Sequence, residues 1–150
     1  MTTINLTTKI NAPIQVVFDL NRNIDIHKLS TSKSNETAID GVTTGLINQG
    51  ETVTWRGKHF GIYFTHKSII SEMEFPNYFV DEMVEGRFKK FCHQHHFVQE
   101  KSCTIMTDSI EYQTPFGMFG SLFDKIILQN YLTHFINERN DFIKKVAEKQ

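Results

Sequence analysis

The feature that most constrains the fold is a long apolar stripe near the C-terminus. A helix over residues 120–148 would be about 40 Å long, and Ser121 with Asp124 resembles a capping box at its start. A stripe of this length needs a large apolar partner, and the only candidate is a sheet formed by the preceding residues. The stripe residues recur three and four positions apart: Leu128, Tyr131, Leu132, Phe135, Ile136, Phe142, Ile143 and Val146.

The residues before this helix predict a series of antiparallel strands. Apolar and polar side chains alternate, or β-branched and aromatic residues dominate, in segments bounded by turn residues. Helices are expected after Pro13 and, as a short segment, at residues 24–29. We predict one α+β domain, residues 1–150, in which a curved antiparallel sheet wraps around the C-terminal helix. The predicted strands are residues 3–11, 36–40, 51–60, 62–74, 78–84, 88–100 and 104–114.

Charge and cysteine content argue against several classes of function. Lys and Arg total 16 and Asp and Glu total 17, so the whole chain offers no electrostatic attraction to nucleic acid. No run of apolar residues is long enough to predict a membrane span. The two cysteines, Cys92 and Cys103, do not form a disulfide framework, and no signal peptide is visible. We therefore expect a cytoplasmic protein.

The segment FCHQHHF, residues 91–97, holds three of the seven histidines. Successive side chains of a strand point to opposite faces, so residues 91, 93, 95 and 97 share one face. Phenylalanine at both ends of this set marks the face as the inner one. His93 and His95 are therefore predicted to enter the interior, whereas His96 and Cys92 face away from it.

Neighbouring strands add further inward residues, among them an acid, Asp108. An unpaired imidazole or carboxylate in an apolar interior costs several kcal/mol, so buried groups of this kind are found hydrogen-bonded to one another. We expect His93, His95 and Asp108 to form such a polar centre. The remaining inward side chains are Trp55, His59, Phe79, Asp81, Met83, Met106, Ile110 and Tyr112.

Three segments resemble small bacterial members of the SRPBCC superfamily, which has the helix-grip fold and includes START lipid-transfer domains and polyketide cyclases. The segments are TWRGKHFG (54–61), FVDEMVEGRFKKFCHQHHF (79–97) and TPFGMFGSLFDKIILQNYLTHFINERN (114–140). The resemblance covers essentially the whole chain. It implies an elongated, partly apolar pocket between the sheet and the C-terminal helix, a loop at residues 41–47 that acts as a lid, and no obligatory metal.

The interpretation we favour is a protein that binds a small, hydrophobic or amphipathic ligand, with His93, His95 and Asp108 as the polar centre of the pocket. No cofactor is expected, and the protein is expected to be a monomer or a homodimer. The superfamily supports carriers, receptors, cyclases and regulators on one scaffold, so the fold alone does not decide the function. The predicted pocket residues are Trp55, His59, Phe79, Asp81, Met83, Phe91, His93, His95, Phe97, Met106, Asp108, Ile110, Tyr112, Phe123, Ile127 and Tyr131.

Two other functions stay open. In the first, the protein is a cyclase, dehydratase or hydrolase in which His93 or His95 acts with Asp108, because a histidine–carboxylate pair suits general acid–base catalysis. In the second, the chain is a regulatory interaction domain with an exposed apolar patch, for which residues 116–119 offer a contact with a second subunit.

A metal at the polar centre is the weakest interpretation. His93, His95 and Asp108 could provide three zinc ligands, since zinc sites take nitrogen, sulfur and carboxylate ligands. Cys92 and His96 face away from this group, however, and no metal is expected.

Overall fold

A computed structural model describes all residues, 1–150, and contains seven strands and four α-helices. No helix combines the length and the apolar composition needed to cross a bilayer. The strands are β1 (Thr2–Ile10), β2 (Thr37–Gly41), β3 (Thr52–His59), β4 (Ile62–Glu74), β5 (Tyr78–Glu85), β6 (Lys90–Glu100) and β7 (Cys103–Gln113). The helices are α1 (Ile14–Asn21), α2 (Ile24–Ser30), α3 (Gly117–Phe123) and α4 (Gln129–Glu148), with a short 3₁₀ turn at Ser32–Ser34.

All seven strands belong to one antiparallel sheet with the order β1-β7-β6-β5-β4-β3-β2. Strands β2 to β7 follow one another as a meander, and β1 closes the order by pairing with β7. Helices α1 and α2 carry the chain from β1 across to β2 at the opposite edge. The predicted α+β architecture, a curved antiparallel sheet with a long C-terminal helix, is therefore confirmed.

The C-terminal helix differs from the prediction at its start. It begins at Gly117 and passes through a π-helical turn at Asp124–Leu128 before continuing as α4. Ser121 and Asp124 therefore lie inside the helix, and the predicted capping box is wrong. The Asp124 carboxylate is buried, and it accepts hydrogen bonds from the Tyr112 hydroxyl at 2.5 Å and from the Thr2 hydroxyl.

The core consists of two apolar clusters separated by a polar layer. Phe18 centres the larger cluster, with edge-to-face contacts to Phe79 and Phe97. Tyr112 lies in the smaller cluster with Ile110. Along the inner face of β7, Met106 belongs to the first cluster and Ile110 to the second, so that Asp108 lies between them.

The bond between Tyr112 and Asp124 should stabilise the junction of α3, the π-helical turn and the sheet. Asp124→Ala leaves the fully buried Tyr112 hydroxyl without its acceptor, and we expect the free energy of unfolding to fall by about 1–3 kcal/mol. In a urea-unfolding double-mutant cycle with Tyr112→Phe, the two losses should not add. The exposed Asp141→Ala on the same helix is the control and should couple to neither. Additive losses for Tyr112→Phe and Asp124→Ala would contradict the assigned role.

Candidate functional site

The centre of the site is the carboxylate of Asp108, which is fully buried on the inner face of β7. Strand pairing places His95 of β6 directly opposite Asp108, and His93 is two residues away on the same face. His93 Nε2 lies 2.7 Å from Asp108 Oδ1, and the two imidazole rings stack with their centroids 3.8 Å apart. The expected polar centre is thus brought together by sheet register.

The electrostatics of this centre follow from burial and hydrogen bonding. Burial acts to raise the pKa of the Asp108 carboxyl, but the bond from His93 and the contact with His95 outweigh it and hold this pKa well below its usual value. Burial and the neighbouring His93 lower the pKa of His95 to about 3, so its ring is neutral at neutral pH. His95 Nδ1 lies 3.2 Å from Asp108 Oδ1 but forms no hydrogen bond.

Two consecutive residues of α4 complete the centre from the helix side. Asn140 Nδ2 donates to Asp108 Oδ2 at 2.7 Å, which ties the helix to the sheet. Arg139 is only 4% exposed, and Nη1 donates to the amide oxygens of Asn21 and Asn140. Nη2 of Arg139 donates to the main-chain carbonyl of Asn21. All three acceptors are uncharged, so this buried cation has no direct carboxylate partner.

A cavity of about 60 Å³ lies beside this centre, between the sheet, the α1–α2 junction and α4. It has room for about four or five water molecules, well below the several hundred Å³ of pockets that hold drug-sized ligands. One part of its wall is polar: Asn21, Asp81, His93, His95 and Arg139. Much of the rest is apolar: Ile24, Ile47, Val53, Trp55, Ile70 and Phe79.

The loop between β2 and β3 closes one side of the cavity through Ile47, which is 3% exposed. Main-chain bonds hold the loop against the α1–α2 junction, from Ile24 N to the Gly45 carbonyl and from Ile47 N to the Arg22 carbonyl. The Asp25 carboxylate accepts from Gly45 N at 2.9 Å. Gly45 has φ 76°, a left-handed conformation that glycine adopts without strain. The loop therefore has the position expected of a lid.

Comparison with solved structures identifies the fold. Protein TTHA0849 of Thermus thermophilus superposes with a TM-score of 0.75 at 14% identity, over 97% of this chain and 99% of that one. Major latex-like protein 151 of Panax ginseng gives 0.72 at 16% identity, over 97% of each chain. The KanY protein gives 0.75 at 14% identity, over 98% of this chain and 97% of that one. The chain therefore has the same fold as these proteins, the helix-grip arrangement of a curved antiparallel sheet and a long C-terminal helix. No protein-family model and no curated protein matches the sequence.

Within this helix-grip structure, five of the predicted site residues line the cavity: Trp55, Phe79, Asp81, His93 and His95. Asp108 lies behind the two histidines rather than in the cavity wall. Apolar side chains fill the space in which a longer pocket was expected. Four predicted residues are core members: Phe97, Met106, Ile110 and Tyr112. Four others are half-buried and do not line the cavity: His59, Met83, Phe91 and Tyr131.

Phe123 and Ile127 were predicted to line the pocket, but they are 41% and 44% exposed. The π-helical turn explains the difference. In this part of the helix the residues that face the protein are spaced four positions apart, and they are Gly120, Asp124 and Leu128 rather than Phe123 and Ile127. Large apolar side chains remain exposed along this part of the helix, which is the surface that the interaction-domain alternative requires. They are Phe116, Met118, Phe119, Leu122, Phe123, Ile126 and Ile127.

A second polar cluster surrounds Glu36 at the edge of the cavity. Its carboxylate lies 2.7 Å from His27 Nε2 and 3.3 Å from His59 Nε2. The His59 ring is in turn hydrogen-bonded to the Tyr131 hydroxyl at 2.6 Å. His27 lines the cavity and stacks on Trp55 with ring centroids 4.1 Å apart. The cluster thus joins α2, β3 and α4.

Sequence reasoning did not include Arg139, Asn140 or His27 among the site residues. Arg139 and Asn140 fall on the continuation of the apolar helix stripe. Two adjacent polar residues at positions that the stripe predicts to be buried were the one feature of the sequence that could have indicated their place in the site. His27 gave no such signal, because its partner Glu36 lies in another segment and only the tertiary fold brings the two together.

The Glu36 cluster should make stability depend on pH. Burial acts to raise the Glu36 pKa, but hydrogen bonds from His27 and His59 outweigh it and lower the pKa to about 2. Because the folded-state pKa is depressed, this contribution is complete above the ordinary value of 4.5 and is lost as the pH falls through about 2. Urea unfolding should show Glu36→Gln less stable than wild type at pH 6, with the difference shrinking towards pH 2. The exposed Glu100→Gln should follow wild type at each pH, and a pH-independent difference for Glu36→Gln would refute this assignment.

Proposed function

We propose that the protein binds a small ligand with an apolar body and a carboxylate end in the cavity beside Arg139. The observation that carries the proposal is a guanidinium only 4% exposed, at the cavity wall, whose three hydrogen bonds all go to uncharged oxygen atoms. The carboxylates of Asp108, Asp81 and Glu36 act on this guanidinium only from a distance. An anion bonded to it directly would offset more of the cost of burying its charge.

The donor geometry of Arg139 favours a carboxylate. A guanidinium has five N–H donors, and the bonds from Nη1 and Nη2 leave Nε without a partner. The edge formed by Nε and Nη2 is one that binds the two oxygens of a carboxylate side by side. His93 and His95, which line the same part of the cavity, would lie near this end of the ligand.

The apolar part of the cavity wall suits the apolar body of the ligand. Trp55, Phe79 and Ile70 provide a surface on which a short alkyl chain would bury its area. A cavity of about 60 Å³ limits the ligand to a few carbon atoms unless the lid moves. Loop 41–50 is the segment whose displacement would lengthen the cavity, because Ile47 forms part of its wall.

Trp55, the only tryptophan in the chain, is a natural probe of this site. We expect butanoate to change Trp55 fluorescence saturably, whereas butanamide and butylammonium, with matched alkyl chains, bind more weakly or not at all. Arg139→Gln should weaken butanoate binding at least about tenfold, since a hydrogen bond to a charged group contributes about 1.5–3 kcal/mol. Arg87→Gln, which removes an exposed arginine, is the matched control and should leave binding unchanged.

The comparison of the three ligands uses wild-type protein and does not depend on the variant folding. Circular dichroism checks the fold of Arg139→Gln, and native mass spectrometry of gently purified protein tests for a molecule already bound. Equal binding of the carboxylate, the amide and the amine would contradict the proposal. Butanoate binding that survives Arg139→Gln in a folded variant would contradict it as well.

A further inference from the structure

The three side chains at the polar centre have the composition and proximity of a metal site. His93, His95 and Asp108 each offer one ligating atom, and these atoms all lie within 4.8 Å of one another. Ligands of a tetrahedral zinc ion lie about 3.4 Å apart, given metal–ligand distances of about 2.1 Å. The separations of 2.7 Å and 3.2 Å from Asp108 Oδ1 to the two ring nitrogens need a small expansion to reach this value, and the stacked rings need to rotate so that both nitrogens point at one ion.

An independent observation is the lack of a hydrogen bond at His95 Nδ1. The His95 side chain is 3% exposed, and Nδ1 lies 3.2 Å from Asp108 Oδ1 without the alignment of a hydrogen bond. Buried polar nitrogen atoms almost always have a partner, so this atom calls for an explanation. A cation between Nδ1 and Oδ1 would replace this poorly aligned contact with two coordinate bonds.

The surrounding residues support coordination rather than obstruct it. Asn140 Nδ2 donates to Asp108 Oδ2, which leaves Oδ1 as the oxygen that faces both histidines. Such outer hydrogen bonds orient the ligands of metal sites. The ion would lie between Asp108 and the two imidazole rings, whose other sides line the cavity.

The local charge also allows a cation. Two carboxylates, Asp81 and Asp108, face this region, and Arg139 is buried beside it. Arg22 also lines the cavity, but its charge is paired with that of Asp19. These groups carry a small excess of negative charge. A divalent ion would change it to a small positive charge and would leave no large unbalanced charge in the interior. Two imidazole nitrogens and one carboxylate oxygen favour a first-row transition metal such as zinc over magnesium or calcium, which prefer oxygen ligands.

We infer that His93, His95 and Asp108 form a binding site for a divalent transition-metal ion, for which Zn²⁺ is the best match. This departs from the expectation of no metal, which rested on the outward positions of Cys92 and His96 and on the resemblance, which implies no obligatory metal. Neither residue is needed for a three-ligand site, because such sites keep one position for water or another small ligand. The inference does not depend on the proposed carboxylate ligand.

The test uses tag-free protein stripped with EDTA and titrated with Co²⁺, which reports nitrogen and oxygen ligation through its visible absorption. Wild type should bind one Co²⁺ per chain, and Zn²⁺ should displace it. His95→Ala and Asp108→Asn should weaken binding by more than tenfold, and Asn140→Ala by about 10–100-fold as a positioning residue. The matched control is His96→Ala on the same strand, whose exposed side chain faces away from the site, and it should bind as wild type does.

A second measurement keeps the inference testable if the buried variants do not fold. On addition of Zn²⁺ to wild-type protein, the NMR signals of the His93 and His95 ring nitrogens should shift, whereas those of His96 should not. Failure to bind one ion per chain, or binding that disappears in His96→Ala, would overturn the inference. Butanoate titration in EDTA separates the two proposals, since carboxylate binding to Arg139 does not require the metal.

Discussion

The structure depends on one buried carboxylate, that of Asp108, which joins the sheet to the C-terminal helix inside the core. A carboxylate in this position is tolerated only because it accepts hydrogen bonds from both sides. His93 donates from the sheet and Asn140 from α4. The bond to Asn140 sets the rotation of α4 against the sheet, and Arg139, as the preceding residue, is thereby brought to the cavity wall.

The polar layer around Asp108 also explains why the fold retains a cavity. Phe18 and its neighbours fill one side of the interior, and Tyr112 with its neighbours fills the other. Between the two clusters, stacked imidazoles and an arginine cannot interdigitate as closely as aliphatic side chains without losing their hydrogen bonds. A small void beside polar groups is the result, and its wall is partly polar rather than wholly apolar.

Periodicity predicted most of the fold because most strands are buried mainly on one face, although β5 and β6 each bury two adjacent residues, Phe79–Val80 and Cys92–His93. The alternation in FCHQHHF placed His93 and His95 inside and His96 outside, as the structure has them. The start of the long helix was not predictable in the same way, since a π-helical turn departs from the 3.6-residue period. The hydroxyl of Tyr112, a residue of β7 rather than of the helix, holds Asp124 inward. Phe123 consequently turns outward.

The residues of the candidate site fall into two groups, those whose positions follow from local sequence and those whose positions follow from tertiary packing. His93, His95 and Asp108 are placed by strand alternation and register, which local sequence encodes. Arg139, His27 and Glu36 are placed by how helices and connecting segments pack on the sheet, and the volume of the cavity depends on the rotamers of its wall.

The loop between β2 and β3, through which Ile47 closes one side of the cavity, is attached by both main-chain and side-chain hydrogen bonds. Backbone bonds hold Ile47 to Arg22 and Gly45 to Ile24. The Asp25 carboxylate accepts from Gly45 N and from the Thr44 hydroxyl, and the Arg22 guanidinium donates to Asn48 Oδ1. Hydrogen bonds from Gly45 and Thr44 lower the Asp25 pKa to about 2, so this acceptor remains ionised across the physiological range. The bonds at Asp25 are therefore unaffected by a change in pH near neutrality. Under the proposed function, ligand size and loop displacement are linked, because a ligand larger than the resting cavity needs movement of this loop.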